Sequence, residues 1–214
     1  MKTNSLWLAL ASMLMASGAW SANETSRSPA VPPEATAKSI ASIALVNAGF
    51  ESTRPGKLGA PDGWWAIQHA GPPSYRFTLD ESIHKTGARS MRVENIGPEP
   101  YGTIFQYVDA HPYRGKTVRA AGWIRTEKTS GNQYGAGAGL HLQTQRRGHA
   151  LDTAPMLKNA IAGTTDWTRY ELVLSVADEA DRIEVGLNLY GPGVAWLDDM
   201  TLDVVEAPKS KRSP

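Results

Sequence analysis

The chain has 214 residues, no Cys and a formal net charge of +1 at pH 7. This length accommodates one domain of ordinary size with a buried core, or two small ones. The balance of 22 Lys or Arg against 21 Asp or Glu lacks the basic excess of a nucleic-acid-binding protein or a polybasic membrane anchor. The absence of Cys excludes disulfides, a thiolate nucleophile and Cys-ligated metal sites. We therefore expect a partner that is neutral or recognised by its shape, and no nucleic acid.

Residues 1–21 have the pattern of a secretory signal. Lys2 precedes an apolar stretch over residues 6–16, and small residues follow it. The apolar stretch is too short for a transmembrane helix. We expect cleavage after Ala19 or Ser21, which predicts a secreted or periplasmic protein that is not inserted in the membrane after cleavage. An uncleaved membrane anchor is the alternative.

Two further segments are predicted to lie outside the folded domain. Residues 22–41 are rich in Pro, Ser, Thr and Ala and contain few large apolar side chains, so they bury too little surface to offset the entropy of ordering. Residues 207–214 contain three basic residues and no acidic one. We predict a flexible linker over 22–41, one domain over 42–206 and a disordered basic tail over 207–214.

Apolar and polar side chains alternate through the predicted domain, as they do in β-strands with one buried face. The alternation is clearest over residues 118–125, 140–145, 170–176 and 182–190. Shorter segments raise the total to about eight strands, which are joined by Gly-, Pro- and Asn-containing turns. No crossover helices separate them, which indicates antiparallel sheets. We predict an all-β, two-sheet antiparallel jelly-roll sandwich.

Five sequence motifs follow one another between residues 44 and 205. They are Ala44–Glu51 with Pro61–Trp64, His84–Val93, Tyr113–Arg125, Thr165–Tyr170 and Ala195–Leu202. In this order they resemble bacterial carbohydrate-binding modules of the galactose-binding-like jelly-roll fold, of the type that accompanies glycanases and binds cellulose or xylan. The resemblance implies this fold and the binding of a poly- or oligosaccharide. It does not fix the ligand, because members of this superfamily bind different sugars or other ligands.

The resemblance also implies a structural calcium ion. Similar modules hold the ion with the Glu of a Gly-Phe-Glu motif and an Asp of an Asp-Asp pair, which are Glu51 and Asp198 or Asp199 in this chain. Carboxylates supplemented by backbone carbonyls suit calcium, which takes six to eight oxygen ligands. The alternative is that Asp198 and Asp199 form a strand-end pair that faces solvent.

A ligand face is also predicted without the resemblance. The side of the central strands opposite their apolar face carries aromatic, amide, imidazole and guanidinium groups, which can stack on sugar rings or bind hydroxyls. They are Trp123, Arg125, His141, Gln143, Gln145, Asn188 and Tyr190. The glycines on the same face, Gly135, Gly137, Gly139 and Gly186, indicate that a ligand approaches the backbone closely. The alternative is that another segment of the chain covers this face, which would make these residues part of the core.

The pair Trp64-Trp65 follows the turn Pro61-Asp62-Gly63 and is predicted to lie in a loop. We expect Trp64 to pack beneath the loop and Trp65 to serve as an exposed platform for a sugar ring. Its position makes Trp65 a second candidate for ligand binding.

No motif identifies a catalytic group. The five His residues lack the His-Glu-x-x-His spacing of zinc hydrolases, and neither a Gly-x-Ser-x-Gly elbow nor a phosphate-binding loop occurs. We therefore predict a monomeric, non-catalytic carbohydrate-binding protein. The alternatives are a structural or interaction domain that binds a protein partner through the same face, and an enzyme that acts on glycans.

Overall fold

The computed structural model describes residues 38–56, 60–135, 137–154 and 160–207. The predicted signal, most of the predicted linker and residues 208–214 of the predicted tail lie outside this part of the chain. Within it, no helix is long and apolar enough to cross a membrane.

The described residues form eleven strands and one 3-10 turn at His111–Tyr113. The strands are β1 Ser39–Ile43, β2 Trp65–Gln68, β3 Tyr75–Asp80, β4 Ser90–Asn95, β5 Tyr101–Asp109, β6 Thr117–Thr129, β7 Ala138–Arg146, β8 His149–Thr153, β9 Gly163–Ser175, β10 Arg182–Tyr190 and β11 Val194–Val205.

These strands build two antiparallel sheets, which confirms the predicted all-β sandwich. The first sheet has the order β3-β4-β11-β6-β9, and β1 also pairs with β11. The second sheet has the order β2-β5-β10-β7-β8. Strands that follow one another in sequence often lie in different sheets, as β6 and β7 do.

β1 lies partly within the segment that the composition assigned to the linker. Residues 39–43 pair with residues 202–205 of β11. The β1 side chains are mostly exposed except for Ile43, so the segment lacks the apolar alternation that identified the other strands. Its order comes from pairing with β11 rather than from burial of its own side chains.

The core lies between the two sheets and is made by the inward positions of alternating strands. Ile183, Val185, Leu187 and Leu189 of β10 are buried, as is Ile124 of β6. Side chains at these positions exclude water between the sheets, which is the main stabilising contribution in a sandwich. The outer face of each sheet is thereby left for polar, aromatic and charged residues.

The loop between β1 and β2 closes one side of the core. Trp64 is 1% exposed, and its ring centroid lies 4.8 Å from that of Phe50. The indole Nε1 of Trp64 donates to the carbonyls of Val46 and Asn47, both at 3.1 Å. The structure therefore confirms the prediction that Trp64 packs beneath the loop.

Candidate functional site

The residues predicted to form one ligand face lie on two different faces. Trp123 and Arg125 are on β6 in the first sheet, whereas the remaining five residues are on β7 and β10 in the second sheet. The prediction of a single groove is therefore wrong. Alternation along a strand shows which residues share one of its sides, but it does not show to which of the two sheets the strand belongs.

The predicted groups of the first sheet already have partners. The Nζ of Lys85 lies 4.2 Å from the centroid of the Trp123 ring, and the Nη1 of Arg125 donates to Asp166 Oδ1 at 2.9 Å. A cation over an indole face occupies the surface on which a sugar ring would stack. These contacts disfavour Trp123 as a sugar platform.

Trp65 is on the second sheet and not in a loop. It is the first residue of β2, and its ring is nearly parallel to that of Phe105 on β5, with centroids 6.5 Å apart. The turn that precedes Trp65 ends at Trp64, so the next residue, Trp65, is already in β2. Trp65 therefore shares a surface with the predicted residues of β7 and β10.

We call this surface the second-sheet face. It consists of the outward side chains of β2, β5, β10 and β7, namely Trp65, Ile67, Tyr101, Thr103, Phe105, Tyr107, Asp109, Arg182, Glu184, Asn188, Tyr190, His141, Gln143 and Gln145.

The strand register arranges these side chains in rows. Phe105 is paired with Trp65 on one side and with Gly186 on the other, and Gly186 is paired with His141. The next row contains Tyr107, Glu184 and Gln143. Directly paired side chains on one face of a sheet lie in contact range. The rows therefore bring aromatic rings from one side of the sheet against polar groups from the other.

The aromatic residues form two groups. Phe105 and Tyr107 meet edge to face with centroids 5.0 Å apart, and Trp65 contacts both rings. Tyr101 and Tyr190 form the second group, with centroids 5.9 Å apart. Sequence reasoning missed Tyr101, Phe105 and Tyr107, because both sides of β5 carry apolar residues and the alternation does not show which side faces outward.

Glu184 is the centre of the polar part of this face, and sequence reasoning missed it as well. It is 6% exposed. His141 Nε2 lies 2.7 Å from its Oε1, and Gln143 Nε2 donates to its Oε2 at 3.0 Å. Gln145 Nε2 also donates to Oε2. Three of the predicted ligand residues therefore converge on one buried carboxylate.

A second branch of this network passes through Asn188. Its Oδ1 accepts a hydrogen bond from Thr103 Oγ1 at 2.8 Å, and its Nδ2 lies 3.3 Å from both Tyr190 Oη and His141 Nδ1. An amide nitrogen only donates, so His141 Nδ1 must be the acceptor. This tautomer places the imidazole proton on Nε2, where it is donated to Glu184.

Two tyrosines on this face have shifted pKa values. Burial and the negative charge of Glu184 raise the pKa of Tyr107 above its ordinary value. Burial also raises the pKa of Tyr190. Both phenols are therefore neutral at physiological pH and can donate or accept hydrogen bonds.

The glycines on this face have a structural cause. A Cβ on Gly186 would overlap the carbonyl oxygen of Ile104 on β5, and a Cβ on Gly135 would overlap the ring of Tyr190. Gly137 has a φ of +87°. The interpretation that the glycines mark close approach of a ligand is therefore wrong at these three positions, since contacts within the chain require them.

The three predicted calcium ligands border one loop. Asp198 is fully buried, and its Oδ2 accepts from the amides of Lys85 at 2.8 Å and Thr86 at 3.1 Å. Asp199 Oδ2 accepts from Thr86 Oγ1, and Glu51 accepts from the amide of Ala88. The burial of Asp198 contradicts the alternative of a solvent-facing pair.

The side chains of these acids do not form a metal site by themselves. In the ranges that the structure describes, no three His, Asp or Glu side chains lie close enough together to hold one ion. The carboxylates bind loop amides instead. Burial and the charge of Asp199 raise the pKa of Asp198. Calcium would fit only with backbone carbonyls as most of its ligands, and it stays a prediction.

No protein-family model matches the chain. The chain is 29% identical, over 147 residues, to the uncharacterized HTH-type transcriptional regulator YbfP of Bacillus subtilis strain 168. The match covers 66% of this chain and 48% of the regulator, so the chain spans about half the length of this curated relative.

Similar solved structures share the fold at low sequence identity. A CBM4 structure has a TM-score of 0.53 at 14% identity and covers 75% of this chain and 99% of its own. The enzymatically active domain of tailspike protein 4 of bacteriophage CBA120 has a TM-score of 0.55 at 15% identity, covering 78% of this chain and 22% of its own. A cyclase from Fischerella sp. TAU, in complex with 4-(1H-indol-3-yl)butan-2-one, has a TM-score of 0.51 at 16% identity and covers 78% and 99%. These likenesses establish the jelly-roll fold that carbohydrate-binding modules share.

Proposed function

We propose that the protein binds a glycan chain on the second-sheet face and does not catalyse a reaction on it. The observation that carries this proposal is the combination of aromatic rings with a polar centre made of Glu184, His141, Gln143 and Asn188. Sugar rings present apolar faces that pack on aromatic rings, and their hydroxyls need directional hydrogen-bond partners. This face supplies both.

The spacing of the aromatic groups favours a chain over a single sugar. Tyr101 and Tyr107 are six residues apart on β5. At about 3.3 Å per residue this corresponds to roughly 20 Å along the strand. A glycan that lies along β5 and β10 would contact both aromatic groups and the polar centre between them.

The fold likeness supports the proposal without deciding it. A CBM4 structure has this architecture, but so do a cyclase and part of a tailspike enzyme. Fold alone does not determine function. The non-catalytic part of the proposal rests on the sequence, where no motif identifies a nucleophile or a catalytic base.

The remaining parts of the proposal come from the sequence. The signal-like residues 1–21 support a secreted or periplasmic protein. We also propose calcium at the loop bordered by Glu51, Asp198 and Asp199, since all three carboxylates accept hydrogen bonds from this one loop and Asp198 is buried. We expect a monomer.

The test is a glycan array followed by calorimetric titration of the glycan that binds. Trp65→Ala should weaken binding by about tenfold or more, because stacking on an aromatic ring contributes about 1 to 3 kcal/mol. Trp123→Ala is the matched control, since it removes the same side chain from the opposite sheet. Equal losses in the two variants, or a loss in Trp123→Ala alone, would contradict the proposed location. The absence of any bound glycan would favour the protein-partner alternative.

A further inference from the structure

Glu184 carries a buried negative charge that no permanent cation compensates. Within the described residues its only ion-pair partner is His141, and the hydrogen bond from Asn188 to His141 Nδ1 indicates a neutral ring. Arg182 is on the same strand, but its guanidinium lies over the Tyr107 ring, 5.1 Å from the centroid, and not against the carboxylate. A buried carboxylate without a cation is unfavourable. This face would therefore be stabilised by a positively charged ligand.

The hydrogen bonds around Glu184 take one N–H from each of two amides and the imidazole N–H of His141. The Nε2 groups of Gln143 and Gln145 both donate to Glu184, as does His141. The Oε1 of Gln145 is buried and has no hydrogen-bond partner in the part of the chain that the structure describes. A carboxylate has about four acceptor positions, of which three are occupied here. The polar centre therefore contains two acceptor positions without a donor among the described residues, one on Glu184 and one on the buried Gln145 Oε1.

The adjacent aromatic rings are also suited to a cation. Arg182 lies over the Tyr107 ring and occupies that face, so a ligand cation would use the ring of Trp65, which contacts Tyr107. Trp65 extends the aromatic surface from Tyr107 and packs on Phe105, which is itself buried. An ammonium group that reached Glu184 from this side would contact aromatic rings as well as the carboxylate.

We propose that the second-sheet face selects its glycan by hydrogen-bond donation and positive charge. Among chains of one length and linkage, an amino sugar binds more tightly than the neutral sugar, and a uronic acid is rejected. An ammonium group has three donors and no acceptor, which matches the unpartnered Gln145 Oε1 and the Glu184 carboxylate. A carboxylate on the ligand would bring an acceptor and a like charge to the same place. This inference rests on the proposed glycan-binding function.

The experiment compares three β-1,4-linked hexamers, of glucosamine, glucose and glucuronic acid, by calorimetric titration of the full chain. At about pH 6 the amine of the first is protonated. We expect the glucosamine chain to bind about tenfold more tightly than the glucose chain. The glucuronic acid chain should bind at least tenfold more weakly than the glucose chain. Glu184→Gln keeps the size of the side chain and removes its charge, so it should abolish the preference for the amino sugar.

Two further variants make the outcome decisive. Asp166→Asn removes an exposed carboxylate of the first sheet and should leave the preference unchanged. If Glu184→Gln does not fold, Gln145→Leu removes the unpartnered acceptor and should reduce the preference severalfold. Equal binding of the amino and neutral chains, or a preference that survives Glu184→Gln, overturns the inference and leaves the proposed function standing. Failure of all three chains to bind at millimolar concentration overturns the inference, and the proposed function then stands or falls with the glycan array.

Discussion

At the scale of single residues, adjacent tryptophans have different roles. Trp64 is buried against Phe50 and donates to two carbonyls, whereas Trp65 begins β2 and lies on the second-sheet face. Successive side chains near a strand point to opposite sides, so two identical residues can serve the core and the surface. We therefore expect substitution of Trp64 to lower stability and substitution of Trp65 to weaken binding.

We predict that Trp64→Ala lowers the free energy of unfolding by about 3 to 5 kcal/mol, the range for a buried aromatic residue. Trp65→Ala should cost much less, because its ring is only half-buried. Urea denaturation followed by circular dichroism measures both values. Equal destabilisation would show that Trp65 belongs to the core, and the surface assignment would then fail.

Asp198 gives a prediction with a defined sign. Burial raises the pKa of Asp198 in the folded protein above its ordinary value. The native state then binds this proton more readily than the unfolded state, so the contribution of Asp198 to stability increases as the pH falls through the folded pKa. We compare the free energy of unfolding of the protein with that of the Asp198→Asn variant, both in the presence of a chelator. The difference, protein minus variant, should increase as the pH is lowered from about 6 to about 4. A constant or falling difference would contradict the raised pKa.

Calcium acts on the same loop. If the acids around it hold the ion together with backbone carbonyls, millimolar calcium should raise the Tm, since a ligand that binds only the native state stabilises it. Thermal melting with calcium and then with excess chelator measures this. The Asp198→Ala, Asp199→Ala double variant should show no shift. An unchanged Tm in the unmutated chain would remove calcium from the account.

At the scale of strands and sheets, the close pairing of β5 and β10 determines what the second-sheet face can carry. Gly186 lies where a side chain would overlap the backbone of Ile104. The glycine therefore allows β10 to pair in register with β5, which places Glu184 beside Tyr107. Sequence reasoning assigned Gly186 to the approach of a ligand, but its role is to allow β5 and β10 to pair closely.

We predict that Gly186→Ala destabilises the protein by about 3 kcal/mol, because a methyl group would force paired backbones apart. Gly148→Ala is the control, since this glycine has a positive φ of 81° but open space around its Cα. It should cost about 1 kcal/mol, from backbone strain alone. Denaturant midpoints give both values, and a neutral Gly186→Ala would disprove the packing explanation.

The sequence predicts the elements better than it predicts their assembly. The strands with clear alternation, such as β6, β7 and β10, were found, whereas the exposed edge strands β1 and β8 lack this signal. His141, Gln143, Gln145, Asn188 and Tyr190 were correctly placed together. Alternation does not show which sheet β6 joins, so Trp123 is predicted on the wrong face. Alternation along β10 does put Glu184 on the side of Asn188 and Tyr190, but its role as the shared acceptor depends on contacts with β7. That arrangement depends on contacts between residues far apart in the chain.

At the scale of the whole molecule, the two outer faces of the sandwich differ in character. On the first sheet, the guanidinium groups of Arg92 and Arg125 both lie near the ring of Trp196, and its Nε1 donates to Asp80. The Trp196 ring and the two guanidinium groups therefore contact one another, although Arg125 Nε is buried without a hydrogen-bond partner among the described residues. On the second sheet, aromatic rings border a carboxylate without a permanent cation among the described residues, and the unpartnered Gln145 Oε1 lies beside it. The second sheet is therefore the face that a ligand would complete.

The central claim is that this second-sheet face binds the glycan. The most direct test is to titrate the protein with a glycan identified on the array and to follow backbone amide chemical shifts by NMR. The account predicts that the shifts change along β5, β7 and β10, centred on Glu184 and Phe105, and remain constant around Trp123 and Trp196. Changes centred on β6 and β11, with the amides of β10 unaffected, would contradict it.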